Sequence, residues 1–141
     1  MKLEFIDFQI HGDERGQLIA LEENKNIPFP IKRVYFMYDT QKDVHRGLHA
    51  HKKLQQVLFC VSGSCTIRLD DGREKVEVKL SRPEKGLYIG PGIWREMYDF
   101  QIGTVLMVLA SEYYNESDYI RDYQAFLDYG VLYSERGEGN G

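Results

Sequence analysis

Short apolar runs separated by turn residues dominate the pattern of hydrophobic and polar positions along the chain. The stretch 75–80 alternates apolar and charged residues, which is typical of a strand with one face in solvent. The stretch 56–61 is almost continuously apolar and predicts a buried strand. Runs spaced in this way are typical of an all-β sandwich or barrel of about ten strands. We predict strands at 3–10, 16–22, 31–38, 56–61, 64–69, 75–80, 86–89, 94–100 and 104–109.

Two local signals mark a turn and a helix. Asp70, Asp71 and Gly72 form a strong hairpin signal, because Asp and Gly tolerate the positive φ angles of tight turns. Near the end of the chain we predict one α-helix, capped by Asn115 and ended by Gly130. Acidic residues in its first turn suit the helix dipole. Its apolar residues recur at helical spacing, at Tyr119, Ile120, Tyr123, Phe126 and Leu127.

Length and composition fit one globular domain. The chain has 141 residues, of which 43% are hydrophobic and 28% charged, and no apolar run reaches the ~18 residues of a membrane span. Polar residues interrupt the N-terminal stretch, which therefore lacks the apolar run of a signal peptide and predicts a cytoplasmic protein. A net charge of −4 argues against a nucleic-acid-binding or membrane-binding surface. We expect one domain over residues 1–130 and a polar, glycine-rich, flexible extension over residues 131–141.

The stretch Arg46-Gly47-Leu48-His49-Ala50-His51 carries the most informative side chains. On a strand, residues two apart face the same side, so His49 and His51 point together. Two imidazoles on one face are typical of a metal site, of an acid–base pair or of a structural pair. The strand alone does not distinguish these three.

Beyond the histidine pair the chain has Gln55, Gln56 and Gly63, and a second motif over residues 86–95 contains Gly-Pro-Gly and ends in Arg95. This order of motifs resembles the cupin superfamily of small jelly-roll β-barrels. Metal-binding cupins have a glutamate at the glutamine position and a histidine at the Arg95 position. An amide is a poorer metal ligand than a carboxylate, and a guanidinium offers no lone pair and repels a cation. We therefore expect no metal and no other cofactor.

Further motifs are similar to those of one particular group within this superfamily. Residues 12–16, Gly-Asp-Glu-Arg-Gly, and residues 46–49 resemble the signatures of metal-free cupins that act on dTDP-linked keto-sugars, a group that includes the 3,5-epimerases. The second histidine and several later stretches are similar, in order, to the dTDP-4-oxo-6-deoxyglucose 3,4-ketoisomerases. These stretches are 32–35, 46–54, 86–91, 94–97, 109–114 and 118–121. The resemblance implies a cofactor-independent isomerase that moves a carbonyl from C4 to C3 of the hexose, in the biosynthesis of unusual deoxy- and amino sugars.

The resemblance also implies a role for individual side chains. His49 becomes the base toward C3, His51 the partner that shuttles or delivers a proton, and Tyr35 a group that polarises the carbonyl or acts as an acid. Guanidinium groups match phosphate oxygens, and aromatic rings stack on a thymine or a sugar face. The predicted substrate-binding residues are Arg15, Arg46, Arg33, Arg95, Tyr88 and Trp94.

Arg95 stands where some relatives have a histidine that could donate a proton to C4. Because arginine stays protonated, we expect the product to keep the gluco configuration at C4.

Three other functions stay open: a dTDP-sugar 3,5-epimerase, a non-catalytic sugar-nucleotide-binding cupin and a metal-dependent oxygenase. The resemblance further implies a homodimer that exchanges N-terminal strands, for which the apolar stretch 3–10 is suited.

Overall fold

The computed structural model describes residues 1–130, in which twelve strands account for most of the regular structure. The strands are β1 Glu4–Asp7, β2 His11–Asp13, β3 Gly16–Leu18, β4 Arg33–Met37, β5 Arg46–His51, β6 Gln56–Ser62, β7 Cys65–Asp70, β8 Lys75–Leu80, β9 Lys85–Ile89, β10 Trp94–Tyr98, β11 Val105–Ala110 and β12 Tyr119–Ile120. A helix, α1, covers residues 123–130. The predicted extension over residues 131–141 lies outside the described residues. No helix within residues 1–130 is long and apolar enough to cross a membrane.

Two five-stranded antiparallel sheets form the body of the domain. One has the order β1-β9-β6-β11-β4, and the other has the order β12-β5-β10-β7-β8. The small hairpin β2–β3 stands apart from both. Apart from the hairpin β7–β8, neighbours in each sheet are not consecutive in sequence, as in a jelly roll, so the predicted all-β cupin fold with a C-terminal helix is confirmed.

The core lies between the two sheets. Leu58 of β6 and Val108 of β11 come from one sheet, and Ile67 of β7 and Met97 of β10 come from the other. All four side chains are buried and belong to one packed cluster. The alternation in the sequence thus reports correctly which face of β7 is turned inward.

The predicted hairpin turn joins β7 to β8. Asp70 pairs with Lys75 in the antiparallel register, and Gly72 has a φ of +93°. A carboxylate oxygen of Asp70 accepts a hydrogen bond of 2.7 Å from the Gly72 N–H. The turn therefore uses the side-chain acceptor and the glycine for which the sequence motif is known.

The prediction of one continuous helix from Asn115 is wrong. Asn115 caps only a 3₁₀ turn, Glu116–Asp118, after which the chain becomes extended as β12. Tyr119 and Ile120 of β12 pair with His51 and Ala50 of β5. The edge of β5 offers free main-chain groups, and Ile120 becomes buried beside Ala50. The pairing with β5 and the burial of Ile120 outweigh the local preference for a helix that the spacing of the apolar residues indicates.

The helix itself begins later than predicted, and it remains helical up to Gly130, the last described residue. Phe126 is its buried residue and packs against Trp94 and Ile120. Sequence patterns also missed β2, which is short and fully exposed.

Candidate active site

A cavity of about 350 Å³ opens between β4, at the edge of one sheet, and β5 and β12, at the edge of the other. Alternation along β4 turns Arg33 and Tyr35 inward, while Val34 and Phe36 face solvent. Arg46 and His49 of β5 line the same cavity, and so do Tyr119 and Arg121. The cavity therefore holds three guanidinium groups, one imidazole and two phenols.

A β-bulge explains how Arg46 and His49 come to share this cavity. Arg46 pairs with Met97 of β10 and His49 pairs with Arg95, so three steps along β5 match two steps along β10. The extra residue is accommodated at Gly47, whose φ of +71° is unfavourable for any residue with a Cβ atom. Without the bulge, residues three apart would face opposite sides of the sheet.

His51 lies behind His49 and is completely buried. Its Nδ1 atom is 3.1 Å from a carboxylate oxygen of Asp118. Because a carboxylate only accepts hydrogen bonds, Nδ1 carries the proton and Nε2 keeps its lone pair. This Nε2 atom has no hydrogen-bond partner among residues 1–130.

Asp118 is itself held firmly by the backbone. Its carboxylate accepts hydrogen bonds of 2.8 Å from the Lys53 N–H and 3.2 Å from the Leu54 N–H, and its carbonyl accepts one of 3.0 Å from the Lys52 N–H. These bonds tie the turn before β12 to the loop after β5. The orientation of the His51 ring is therefore fixed by the backbone as well as by one carboxylate.

The two histidine rings contact each other. Their centroids are 4.8 Å apart in an edge-on arrangement, and the Tyr119 ring lies 4.9 Å from His49 and 4.4 Å from His51. His49 is 8% exposed and borders the cavity, and its Nε2 atom has no hydrogen-bond partner within the described part of the chain. One imidazole of the pair thus faces the cavity, where a ligand could bind, and the second imidazole lies directly behind the first.

Both imidazoles are neutral at physiological pH. Burial lowers the pKa of His49 to about 2, and the positive charge of Arg95 adds to the effect. Burial also lowers the pKa of His51 to about 3, again with a contribution from Arg95. Each ring can therefore accept a proton, and any imidazolium formed would need compensation by a bound anion.

Arg95 is fully buried and forms the base of a hydrogen-bond chain. Its Nη1 donates to Oε1 of Gln56, and its Nη2 donates to the Ile93 carbonyl at 2.9 Å. The Gln56 amide donates in turn to the Tyr35 hydroxyl oxygen at 2.8 Å. Burial lowers the pKa of Arg95 to about 10 and raises the pKa of Tyr35.

The donor set around the histidines does not fit a metal ion. At the two positions where metal-binding cupins have a carboxylate and an imidazole, this chain has a buried amide and a buried guanidinium, which donates rather than accepts. Among residues 1–130, no three His, Cys, Asp or Glu side chains are grouped so as to hold a metal.

Three of the predicted substrate-binding residues lie away from the cavity. Arg15 is exposed beyond β2 and forms an ion pair of 2.6 Å with Asp13. Tyr88 donates a hydrogen bond of 2.7 Å to Gln55 and borders a different cavity near the N-terminus. Trp94 is buried against Phe126 beneath α1. A single chain therefore brings together Arg33, Tyr35, Arg46, His49, His51 and Arg95.

The sequence patterns missed three contributors to the site. Asp118, Tyr119 and Arg121 fall in the stretch assigned to the helix, where their side chains would have pointed in different directions. The signal that could have found them is the Asp-Tyr-Ile-Arg stretch 118–121, one of the similarities noted above. In the structure, Arg121 lies 4.2 Å from the centroid of the Tyr119 ring and forms an ion pair with Glu116.

Comparisons with known proteins identify the family of this chain. The family model described as FdtA: WxcM-like, C-terminal matches residues 1–130, and the chain belongs to this family. It is 55% identical over 139 residues to the TDP-4-oxo-6-deoxy-alpha-D-glucose-3,4-oxoisomerase of Aneurinibacillus thermoaerophilus, with 99% of this chain and 100% of that one covered. The predicted relationship to the sugar-nucleotide 3,4-ketoisomerases is thereby confirmed, and the protein is an isomerase.

Solved structures give the same result. A 3,4-ketoisomerase from Helicobacter canadensis is 52% identical, with a TM-score of 0.90 over 93% of this chain and 98% of that one. The sugar 3,4-ketoisomerase QdtA of Thermoanaerobacterium thermosaccharolyticum, solved with TDP, is 49% identical, with a TM-score of 0.90 over 92% and 95% of the two chains. The rmlC epimerase of Mycobacterium tuberculosis, at 23% identity and a TM-score of 0.69 over 84% and 72%, shares the fold alone.

Proposed function

We propose that this chain is a 3,4-ketoisomerase that converts dTDP-4-oxo-6-deoxy-D-glucose into a dTDP-3-oxo-6-deoxyhexose. The observation that carries the proposal is a pair of neutral, contacting histidines beside three arginines in one cavity. The histidines suit proton transfer, and the arginines suit a diphosphate. We place the enzyme in the cytoplasm, in the synthesis of unusual deoxy- and amino sugars for surface glycans.

The reaction needs one proton to leave C3 and another to reach C4. The C3–H bond is acidified by the neighbouring C4 ketone, so His49, which borders the cavity, removes this proton through a ring nitrogen. The C4 oxygen gains a proton, which gives an enediol. Loss of the O3 proton and delivery of a proton to C4 then give the 3-ketone. No electrons enter or leave, so no redox cofactor is required.

His51 and Tyr35 supply the remaining proton transfers in this proposal. The Asp118 carboxylate stabilises positive charge on His51, in the manner of a His–Asp pair, so His51 can exchange a proton through Nε2. The Tyr35 hydroxyl is the donor to the sugar carbonyl. Arg33 lies 5.2 Å from the Tyr35 ring centroid and favours the negative charge that develops there.

Arg33, Arg46 and Arg121 form the diphosphate-binding side of the cavity in this proposal. After burial and Arg95, the charge of Arg121 lowers the pKa of both histidines and the charge of Arg33 lowers the pKa of His51. Bound phosphate charges offset the effect of these two arginines. Substrate binding therefore makes both imidazoles better bases. Arg15, Tyr88 and Trp94 stay sequence predictions as substrate ligands.

We also propose a homodimer that exchanges N-terminal strands. β1 stands at the edge of its sheet, and so does β4, whose outer face exposes Val34 and Phe36 by 53 and 55%. Tyr38, directly after β4, is 61% exposed. Such an apolar edge strand suits pairing with a second copy. An exchanged strand would also carry the exposed Arg15 toward the neighbouring chain. Sedimentation equilibrium tests the dimer, and a monomer at micromolar concentration would contradict it.

The decisive test is incubation of the purified protein with dTDP-4-oxo-6-deoxy-D-glucose in D₂O, followed by NMR. Ketoisomerisation gives a 3-keto product with deuterium at C4, and any other exchange is confined to C3 of the recovered 4-keto substrate. Uptake at C5 would indicate 3,5-epimerisation, and the absence of both exchange and rearrangement would indicate a binding protein. Loss of turnover after exhaustive chelation would indicate a metal-dependent enzyme.

A further inference from the structure

We propose that Arg95 and Gln56 are positioning residues that force the Tyr35 hydroxyl to donate its proton into the cavity. The inference deepens the proposed isomerase function, on which it rests. It follows from the donor and acceptor capacity of three side chains that form one buried chain, Arg95–Gln56–Tyr35.

The direction of each hydrogen bond is fixed from the arginine outward. A guanidinium carries only donors, so the Gln56 atom that faces Arg95 must be the carbonyl oxygen Oε1. Arg95 cannot turn away, because its other terminal nitrogen is held by the Ile93 carbonyl at 2.9 Å and the side chain is fully buried. Gln56 is also fully buried, and flipping its amide would place two donors against each other.

With its oxygen turned to Arg95, Gln56 presents its NH₂ group to Tyr35. The amide donates to the phenol oxygen at 2.8 Å, so this oxygen is an acceptor in the contact. The phenolic proton is therefore not used by Gln56 and is free for another acceptor. Because Tyr35 lines the cavity, that acceptor is the carbonyl or enediol oxygen of a bound sugar.

The same chain stabilises the tyrosine after it has given up its proton. Burial raises the pKa of Tyr35, and the charge of Arg95 and the N–H donor at the phenol oxygen both act against this rise. Hydrogen bonds aimed in advance at a charge that develops during the reaction are an efficient form of catalysis. Gln56 thus keeps the phenol in the donating state and also supports its anion.

The variant Gln56→Glu reverses this arrangement with little change in shape. A carboxylate still accepts from Arg95 and makes a buried ion pair with it, so the fold is preserved. Toward Tyr35, however, it can only accept, and the phenolic proton turns from the substrate to the carboxylate. We expect kcat to fall roughly 10²-fold, the effect of losing one oriented donor, with KM little changed.

Three comparisons separate positioning from a structural role. Measurements at pH 8 keep both histidines neutral even if the new carboxylate offsets the charge of Arg95. Gln41→Glu, an exposed position, is the matched control for the added charge and should keep wild-type turnover. In a Tyr35→Phe background, Gln56→Glu should cost nothing further, because no phenolic proton remains to be redirected.

The result that would overturn the inference is a Gln56→Glu enzyme with wild-type kcat, or an effect of the same size with and without the tyrosine hydroxyl. If Gln56→Glu gives no cooperative thermal transition, Gln56→Asn takes its place, since the shorter amide cannot reach both partners. Its loss of kcat should likewise vanish in the Tyr35→Phe background, and an additive loss would contradict the inference.

An inactive wild type would contradict the proposed function instead. In that event the pKa of ¹³C-labelled Tyr35 still tests the inference. This pKa should be higher in Gln56→Glu than in the wild type, and an unchanged pKa would overturn the inference.

Discussion

Arg46 and His49 line the same cavity although three positions separate them on one strand. The bulge at Gly47 produces this arrangement, and it places the guanidinium proposed to bind the diphosphate beside the proposed base. The geometry of the site therefore depends on a single backbone conformation that L-residues rarely adopt.

Gly47→Ala should reduce kcat/KM roughly tenfold or more, because a misplaced base is costly. A Cβ atom at this position would strain the φ of +71° and lie 3.2 Å from Cε of Met97. The matched control is Gly103→Ala, which has a φ of +82° and no neighbouring atom within 4 Å. Both variants should lose about 1–2 kcal/mol of stability from backbone strain. Equal activity losses in the two variants would contradict a special role for the bulge.

Asp118→Asn should lower kcat roughly 10²-fold or more while leaving the fold intact. We expect the amide oxygen to keep the shorter bond, 2.8 Å from the Lys53 N–H, so that the NH₂ group faces Nδ1 of His51 and the 3.2 Å bond from the Leu54 N–H is lost. His51 would then have to carry its proton on Nε2, the wrong atom for accepting one. Asp71→Asn is the control, because an asparagine can form the same turn. Steady-state kinetics with thermal melts test this, and wild-type kcat in Asp118→Asn would exclude the tautomer argument.

The stability of the protein should fall steeply on acidification below pH 6.5. Both histidines have an unfolded pKa of 6.5, and burial lowers their folded pKa to about 2 and about 3. The unfolded state therefore binds more protons below pH 6.5, and stability present above that pH is lost as the pH falls. From pH 7.5 to 5.5 the two groups together should cost roughly 2–3 kcal/mol of unfolding free energy. Urea denaturation checks this, and the slope should flatten in a His49→Asn/His51→Asn variant.

The first product formed should have the gluco configuration at C4. Arg95 is fully buried and its pKa, although lowered to about 10, leaves it protonated at neutral pH. Its terminal nitrogens are engaged with Gln56 and the Ile93 carbonyl, so it is poorly placed to act as an acid toward C4. NMR of the product trapped at early time distinguishes the two configurations, and an axial C4 hydroxyl in the first product would refute the expectation.

Local patterns in the sequence were sufficient for most of the strands and for the turn. Alternation identified the inward face of β8 and of its neighbours, and Asp70 with Gly72 marked the hairpin. The same reasoning placed His49 and His51 on one side of a strand, where their rings do contact. These features depend on neighbours within a few residues, so the sequence alone is enough to specify them.

Tertiary structure alone decided the partners of these residues. The His51–Asp118 contact spans 67 positions, and it required residues 119–120 to leave the expected helix and pair with β5. The contact between Gln56 and Arg95 spans 39 positions, and nothing in either local pattern signals it. The sequence by itself determined most of the strands, the histidine pair and the kinship with sugar-nucleotide ketoisomerases. Which ring nitrogen is free and which way Tyr35 donates depend on atoms that only the packed sheets bring within hydrogen-bond distance.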